Sequence, residues 1–502
     1  VFLPLLLGVG IVKSRVLSVD YVLSNYCEEI GITTSGASTN QVPLQLFKKA
    51  ENKVFDEDIV LIRDVNLDEL LVLGVIRRIT KFEPIVKDRV RSPFIDKPEI
   101  LDQTILLPFT SGIAKLYATL NFKTRQIEEV RHVVTPGSKV YVVRRGDFLK
   151  DFVKVSKAIF VGKHRFSGWD VPIDTSFINY HVGVFGATGM GKSRLIKLMI
   201  NELVRIGHKV IVFDHSGVDY VPYFKDYVIS SKMIKISPPT IASVIAEKAR
   251  LHWQTFGEYL EIACITFVTG ARIASKRIVR NEQTLKWSKQ EFTTHLGNVM
   301  RSLNARDSTI EKAKLFINYF IEDEFFQELN HRTLEAVDIV NKALNDGLVV
   351  IDLSEDTELP VKQGIIRDII EEAWKITKQY RQTLNVIFII DEAQNYVPER
   401  EWTICGDIIE TTAREGRKWG LSLILASQRV TNDVRTSVRA NLGTIFFSKL
   451  SAQGDLREIG TYLDLADVNE SILAQLSVRE FFVCGLMNPL RKPILIKVRE
   501  VS

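Results

Sequence analysis

Two short stretches combine residue types that can hold and cleave a phosphoanhydride. The first is Gly186-Ala187-Thr188-Gly189-Met190-Gly191-Lys192-Ser193, followed by Arg194. It fits G-x-x-x-x-G-K-[ST] at every fixed position. The apolar run Val182 to Phe185 precedes it as a buried strand, and Leu195, Ile196, Leu198, Met199, Leu203 and Ile206 follow at helical spacing. A Gly-rich turn between strand and helix aims successive backbone N–H groups at phosphate oxygens. Lys192 is then expected to reach the β- and γ-phosphates, with the Ser193 hydroxyl on Mg²⁺. The second stretch is Val386-Ile-Phe-Ile-Ile390-Asp391-Glu392, an aliphatic run ending in two acids. Asp391 is expected to orient the water shell of the Mg²⁺, and Glu392 to polarise the water that attacks the γ-phosphate. An acid directly after the metal-binding Asp favours the RecA-like branch of phosphate-loop ATPases over kinases and GTPases. ATP and Mg²⁺ are the implied ligands.

Other residues fall around this pair. The run Leu421 to Leu425 ends in Ala426-Ser427-Gln428-Arg429, where the Gln428 amide could contact the γ-phosphate or the attacking water. Arg414 and Arg417, ahead of that run, are candidates for a finger inserted into a neighbour's site. Asp214 ends the run Val210 to Phe213. It has two open readings: an acid on a strand beside the phosphate-loop strand, or an Asx-type turn closing its own strand. Arg272, Lys276, Arg277, Arg280, Lys286 and Lys289 surround a single acid, Glu282, with Trp287 among them. A nucleic-acid contact and a solvated helix face both suit that composition, and the helix face is the plainer reading.

The elements that must position these residues divide the chain. At 502 residues it is too long for one ordinary domain. Residues 1–160 show short β-rich runs separated by turn residues, among them Ile59 to Ile62, Leu70 to Ile76, Thr104 to Leu107 and Val140 to Val143. They predict a small barrel or sandwich, in which Arg77-Arg78 and Arg144-Arg145 are possible contacts to nucleic acid. Residues 161–485 carry the nucleotide motifs on an α/β core, interrupted at about 235–345 by amphipathic stretches that predict a helical insertion. Residues 486–502 predict a tail strand, suited to docking on another subunit. Hydrophobic residues make up 46% and charged residues 25%, which suits a globular protein with ample core. The net charge of +5 permits a polyanionic partner without requiring one. Cys27, Cys264, Cys405 and Cys484 are widely spaced, which argues against a zinc site or disulfide framework and suits the cytoplasm. The apolar start, Val1 to Val12, is shorter than the ~20 residues a membrane helix needs, so a buried first strand and no signal peptide are expected.

Taken together, the phosphate loop, Asp214-His215-Ser216-Gly217, Asp391-Glu392-Ala393-Gln394, Ala413 to Lys418 and Ala426 to Arg429 resemble the HerA branch of the HerA–FtsK superfamily. The order of parts is similar too: β-barrel, RecA-like core, helical insertion, tail. The resemblance implies a homo-hexameric ring that hydrolyses ATP between subunits and moves double-stranded DNA through its pore. In archaea such rings process DNA ends with a NurA-like nuclease, here through the barrel face, and without a membrane. It carries over Lys192, Ser193, Asp391 and Glu392 as phosphate, metal and catalytic residues, Gln428 as sensor, and Arg417, with Arg414, as the finger supplied in trans. Gln394 stands where His is frequent in the family, and Asp214 to Tyr220 departs from the more usual Asp-Pro-His-Gly-Glu-Tyr. The competing reading is an ATP-gated ring scaffold that recruits a nuclease or defence partner without sustained translocation. A conjugation or secretion-type pump of the same superfamily is a third, but such pumps usually carry membrane helices.

Overall fold

The computed structural model describes residues 17–82, 109–274, 277–279 and 286–500. The strand readings at Val1 to Val12 and Thr104 to Leu107, and the basic residues Lys276 and Arg280 with Glu282, lie outside them. Two compact units emerge: Val1–Val155 with Lys163–Val171, and Ser156–Gly162 with Pro172–Ser502.

In the first unit, strands alternate buried and half-buried residues, as in Gln41–Leu46, where Val42, Leu44 and Leu46 point inward. This period-2 pattern buries one face of a sheet. The strand order is Gln41–Leu46, Cys27–Thr33, Lys139–Val143, Ile59–Arg63, Leu70–Phe82, Phe109–Asn121, with Gln126–Glu128 appended. Gln41–Leu46 also pairs with Phe109–Asn121, so the sheet closes into the expected barrel. Closure gives backbone groups that would lie on two exposed edges a partner. Ile30, Val60, Ile62, Val72, Ile76, Val140 and Val142 fill the interior.

The Arg doublets are largely consumed inside this unit. Arg77 sits at a bulge between Ile76 and Arg78, is buried, and pairs with the equally buried Glu57. A buried guanidinium needs such a partner, because leaving it unpaired costs several kcal/mol. Arg144 pairs with Glu28 at 3.0 Å and donates to the Lys53 carbonyl at 2.9 Å. Arg145 donates to the Asn25 carbonyl at 2.7 Å and lies over the Tyr26 ring. Of the four, Arg78 and Arg145 are exposed.

The second unit is built on a sheet of near-continuous aliphatic strands, the pattern of parallel strands covered on both faces. Nine of its ten strands run in the order Val228–Ser230, Leu348–Asp352, Lys209–Asp214, Val386–Ile390, Leu421–Ser427, Val182–Phe185, Thr444–Phe447, Glu480–Gly485, Ile494–Val498, and the short Gly162–His164 follows the last. Every pair up to Thr444–Phe447 is parallel. Glu480–Gly485 and Ile494–Val498 are antiparallel additions toward that side. Ile494–Val498 therefore docks on its own chain, with Ile494, Leu495, Ile496 and Val498 buried there, rather than being left free for another subunit.

The segment between Ser230 and Leu348 is helical as expected, with two local departures. The stretch Ile241 to Val268 is two helices, Pro238–Lys248 and Trp253–Thr269, broken where Arg250 takes φ 56°. Gly270, left-handed at φ 62°, ends the second helix, and Arg272–Ala274 pairs with Arg277–Val279 as a β-hairpin. The β-branched Ile273, Ile278 and Val279 favour strand over helix there. The basic stretch is thus not one solvated helix face. Trp287 packs on Phe267 at 4.7 Å between ring centres and on Phe292 and Phe326, a core role.

Candidate nucleotide site

The phosphate loop leaves the Val182–Phe185 strand near the middle of the sheet. Gly189 at φ 80° and Gly191 at φ 98° take the left-handed conformations that the turn needs. Gly191 caps the helix Lys192–Arg205, whose inner face buries Leu195, Ile196, Met199, Ile200 and Leu203. Its first-turn N–H groups are the donors that a phosphate satisfies. Thr188 and Gly189 are exposed and Met190 is buried. Neighbouring strands brace the loop. Ala187 donates its N–H to the Lys449 carbonyl at 2.7 Å, and Arg479 donates to the Met190 carbonyl at 2.9 Å. The Lys192 ammonium folds back on the loop, donating to the Gly186 carbonyl at 2.7 Å. Partial burial lowers its pKa, while the carboxylates of Glu392, Asp391, Asp219 and Asp433 act in the opposite direction. Four acids therefore surround one lysine, a field suited to a cation beside phosphate oxygens.

Asp391 and Glu392 follow the fully buried strand Val386–Ile390. Between that strand and the phosphate-loop strand lies Leu421–Ser427, so half-buried Gln428 emerges between the two motifs. Asp391 accepts from the Glu392 N–H at 2.8 Å through Oδ1 and from the Tyr220 hydroxyl at 3.0 Å through Oδ2. Burial pushes its pKa up to about 6; the Glu392 N–H opposes that shift and the Glu392 carboxylate adds to it. Glu392 takes φ 50°, ψ 50°, unusual for a residue with a Cβ. Such a conformation costs ~1–3 kcal/mol and collects at functional sites. The Gln394 amide donates to the Glu392 carboxylate Oε2.

Asp214 resolves to its turn reading. Oδ1 accepts from the Ser216 and Gly217 N–H groups, and Oδ2 from those of Tyr220 and Val221. Its strand lies beside Leu348–Asp352 and Val386–Ile390, with two strands between it and the phosphate-loop strand. The turn instead delivers Tyr220, fully buried, to Asp391. Asp219 and Tyr220 close the Asp214 to Tyr220 stretch that departs from the family pattern, and the structure brings both to the site. Asp433 is a site neighbour that the sequence reading missed, since it reaches the site through a turn rather than through a motif.

Arg414 and Arg417 are exposed and lie just before Leu421–Ser427, at the amino ends of the parallel strands. Arg417 stacks 3.7 Å over the Tyr180 ring, which precedes the phosphate-loop strand. The strand Val182–Phe185 intervenes before the chain's own loop, a span of ~13 Å. Ser193 and Asp391 suit Mg²⁺, which takes one or two protein ligands and completes its shell with water and substrate phosphates. Among the described residues no group of three or more His, Cys, Asp or Glu could hold a metal ion without such help. Among them also, no helix is long and apolar enough to cross a membrane.

Comparison with known proteins agrees with this arrangement. The family described as "Helicase HerA, central domain" matches residues 159–401, which contain both nucleotide motifs. The chain is 22% identical over 494 residues to the DNA double-strand break repair helicase HerA of Sulfurisphaera tokodaii, covering 93% of this chain and 92% of that one. It is 22% identical over 375 residues to the protein of the same name in Saccharolobus solfataricus, covering 72% of each. Among solved structures it shares its fold with VirB4 of Thermoanaerobacter pseudethanolicus, with TM-score 0.52 and 17% identity, covering 70% of this chain and 98% of that one. The plasmid coupling protein TrwB with a non-hydrolysable ATP analogue gives TM-score 0.50 and 16% identity, covering 72% of this chain and 94% of that one. Residues 159–401 thus match the HerA helicase central domain, and with two nucleotide motifs on one parallel sheet the chain is a phosphate-loop ATPase similar to HerA helicases.

Proposed function

We propose that the chain couples ATP hydrolysis to the movement of double-stranded DNA, as a homo-hexameric ring that acts in DNA end processing with a NurA-like nuclease held at its barrel. The observation that carries this reading is the division of the catalytic set across the sheet. Lys192, Asp391 and Glu392 gather at the carboxyl ends of the strands, while Arg417 sits at the amino ends. A site whose positive finger must come from a second copy hydrolyses ATP only when subunits meet, which suits a ring that steps along DNA. The names of the HerA relatives, DNA double-strand break repair helicases, support DNA as the polymer moved.

In this reading the loop N–H groups of residues 186–194 receive the phosphates, and Lys192 leaves the Gly186 carbonyl to bridge the β- and γ-phosphates. Ser193 and Asp391 would hold Mg²⁺, which would screen the charge that develops on the phosphate oxygens. Glu392 takes the proton of a water whose oxygen bonds to the γ-phosphorus as the bond to ADP breaks. Gln428 contacts the γ-phosphate or that water, and Arg417 of the adjacent copy, with Arg414, stabilises the equatorial charge.

The test is steady-state ATP hydrolysis with and without linear double-stranded DNA, beside native mass. Glu392→Gln is expected to lower kcat ~10²–10⁴-fold while ATP binding persists. DNA stimulation of a wild-type hexamer, with DNA affinity falling steeply as salt rises, fits the motor. A ring whose hydrolysis ignores DNA, and whose Glu392→Gln form keeps its partner function, would replace the motor by the scaffold.

A further inference from the structure

The catalytic glutamate is held by its own motif. The Gln394 Nε2 donates to Glu392 Oε2, and its other amide atom, Oε1, lies 3.1 Å from the Ser427 hydroxyl. The amide orientation follows from charge, since turning it would set an amide oxygen against a carboxylate. Ser427 ends the strand that leads into Gln428, and its hydroxyl also reaches the Asp433 carboxylate. Asp433 accepts from the Arg429 N–H at 2.9 Å. One hydroxyl proton serves either Gln394 or Asp433 at a time, so the Gln394 end of the chain is the one easily released. The 428–433 segment is itself anchored. Asp455 Oδ1 accepts from the Val430 and Thr431 N–H groups, and Arg439 donates to the carbonyls of Val430, Thr431 and Val434.

We propose that Gln394 is a positioning residue that parks Glu392, tying its release to the segment that carries Gln428. A carboxylate held by an amide N–H is not free to turn toward water. Movement of 428–433 frees the amide and with it the base, so hydrolysis stays slow until DNA or a neighbouring subunit shifts that segment. This deepens the proposed function and rests on its assignment of Glu392 as the base.

The experiment measures ATP hydrolysis by the full chain, with and without linear double-stranded DNA, for wild type, Gln394→Ala and Gln394→Glu. Both variants are expected to raise the DNA-free kcat ~10–150-fold, the scale of one hydrogen bond to a charged group, with the KM for ATP within about twofold. The DNA stimulation ratio falls by the same factor. Gln394→Glu keeps the length of the side chain but repels Glu392, which separates the tether from simple packing. Binding of a fluorescent ATP analogue and Tm report whether each variant folds. If Gln394→Ala does not, Ser427→Ala loosens the far end of the tether and is expected to give a rise of about twofold. Unchanged or lower DNA-free rates in the folded variants overturn the tether alone. A wild type that does not hydrolyse ATP overturns the proposed function and the tether together.

Discussion

The hydroxyl of Tyr220 is the clearest single atom on which to test the site. The side chain is fully buried and donates at 3.0 Å to Asp391, the residue assigned to Mg²⁺. Tyr220→Phe removes that hydrogen bond without changing the shape of the ring. Hydrogen bonds to charged groups contribute ~1.5–3 kcal/mol, equivalent to roughly one to two pH units on the carboxylate. Asp391 stands at about 6 with the bond in place. Without it the pKa moves to roughly 7–8, and the ionised fraction at pH 7 falls from about nine-tenths to between one-half and one-tenth. The Mg²⁺ needed for half-maximal hydrolysis should then rise roughly two- to tenfold at pH 7, because metal must displace a proton more often. The excess should shrink above pH 8.5, where both forms are ionised. The assay is hydrolysis against Mg²⁺ concentration between pH 6 and 9, with binding of a fluorescent ATP analogue as a check on folding. An unchanged Mg²⁺ requirement in a folded variant would show that Tyr220 only fills space, and the reasoning from its hydroxyl would be wrong.

Two further tests address the finger and the acid limit of the fold. Arg417→Ala should lose ~10³-fold or more in kcat with ATP binding retained. Mixing it with Glu392→Gln should restore part of the activity, since one subunit supplies the base and its neighbour the arginine; no recovery on mixing would place Arg417 outside the catalytic set. His181 is buried at the start of the phosphate-loop strand, where its Nδ1 accepts from the Leu423 N–H at 3.0 Å. Burial lowers its pKa to about 4 from 6.5. Between these values the unfolded chain binds a proton that the folded one does not, so stability present above pH 6.5 is lost as pH falls toward 4, by on the order of 3 kcal/mol. His181→Gln should flatten that part of a urea-denaturation series against pH, and an unchanged slope would assign the acid limit to other groups.

The parts legible in the sequence are those whose chemistry is local. The phosphate loop and the Asp391-Glu392 pair declare themselves because a strand, a turn and a functional group follow one another without a gap. The closed barrel was legible as a class from short alternating runs. Its closure depends on the pairing of Gln41–Leu46 with Phe109–Asn121, residues far apart in sequence that carry no mark of each other. The two open readings of Asp214 have the same origin. Its strand looks like any buried aliphatic run, and only the sheet order shows that two strands separate it from the phosphate loop. Arg77 read as a surface cation because charge is usually exposed, and its partner, Glu57, lies in the turn before the strand Ile59–Arg63. The basic run after Gly270 misled in secondary structure, since its periodicity is short and one left-handed glycine suffices to end the helix.

The bracing of the phosphate loop bears on how the protein comes into being during synthesis. Its motif is complete by residue 193, yet the carbonyl that receives the Ala187 N–H belongs to Lys449, and the N–H that meets the Met190 carbonyl belongs to Arg479. The strand Ile494–Val498 pairs with the strand that follows Arg479. Contacts of such separation form late, because a long stretch of chain must be ordered before they reward it. The barrel can fold as it emerges from the ribosome, but the nucleotide loop must wait for residues up to Arg479. Nucleotide-binding competence is therefore acquired only once that stretch is ordered, and a chain cut before Arg479 would contain every residue of both motifs without the frame that holds the first of them.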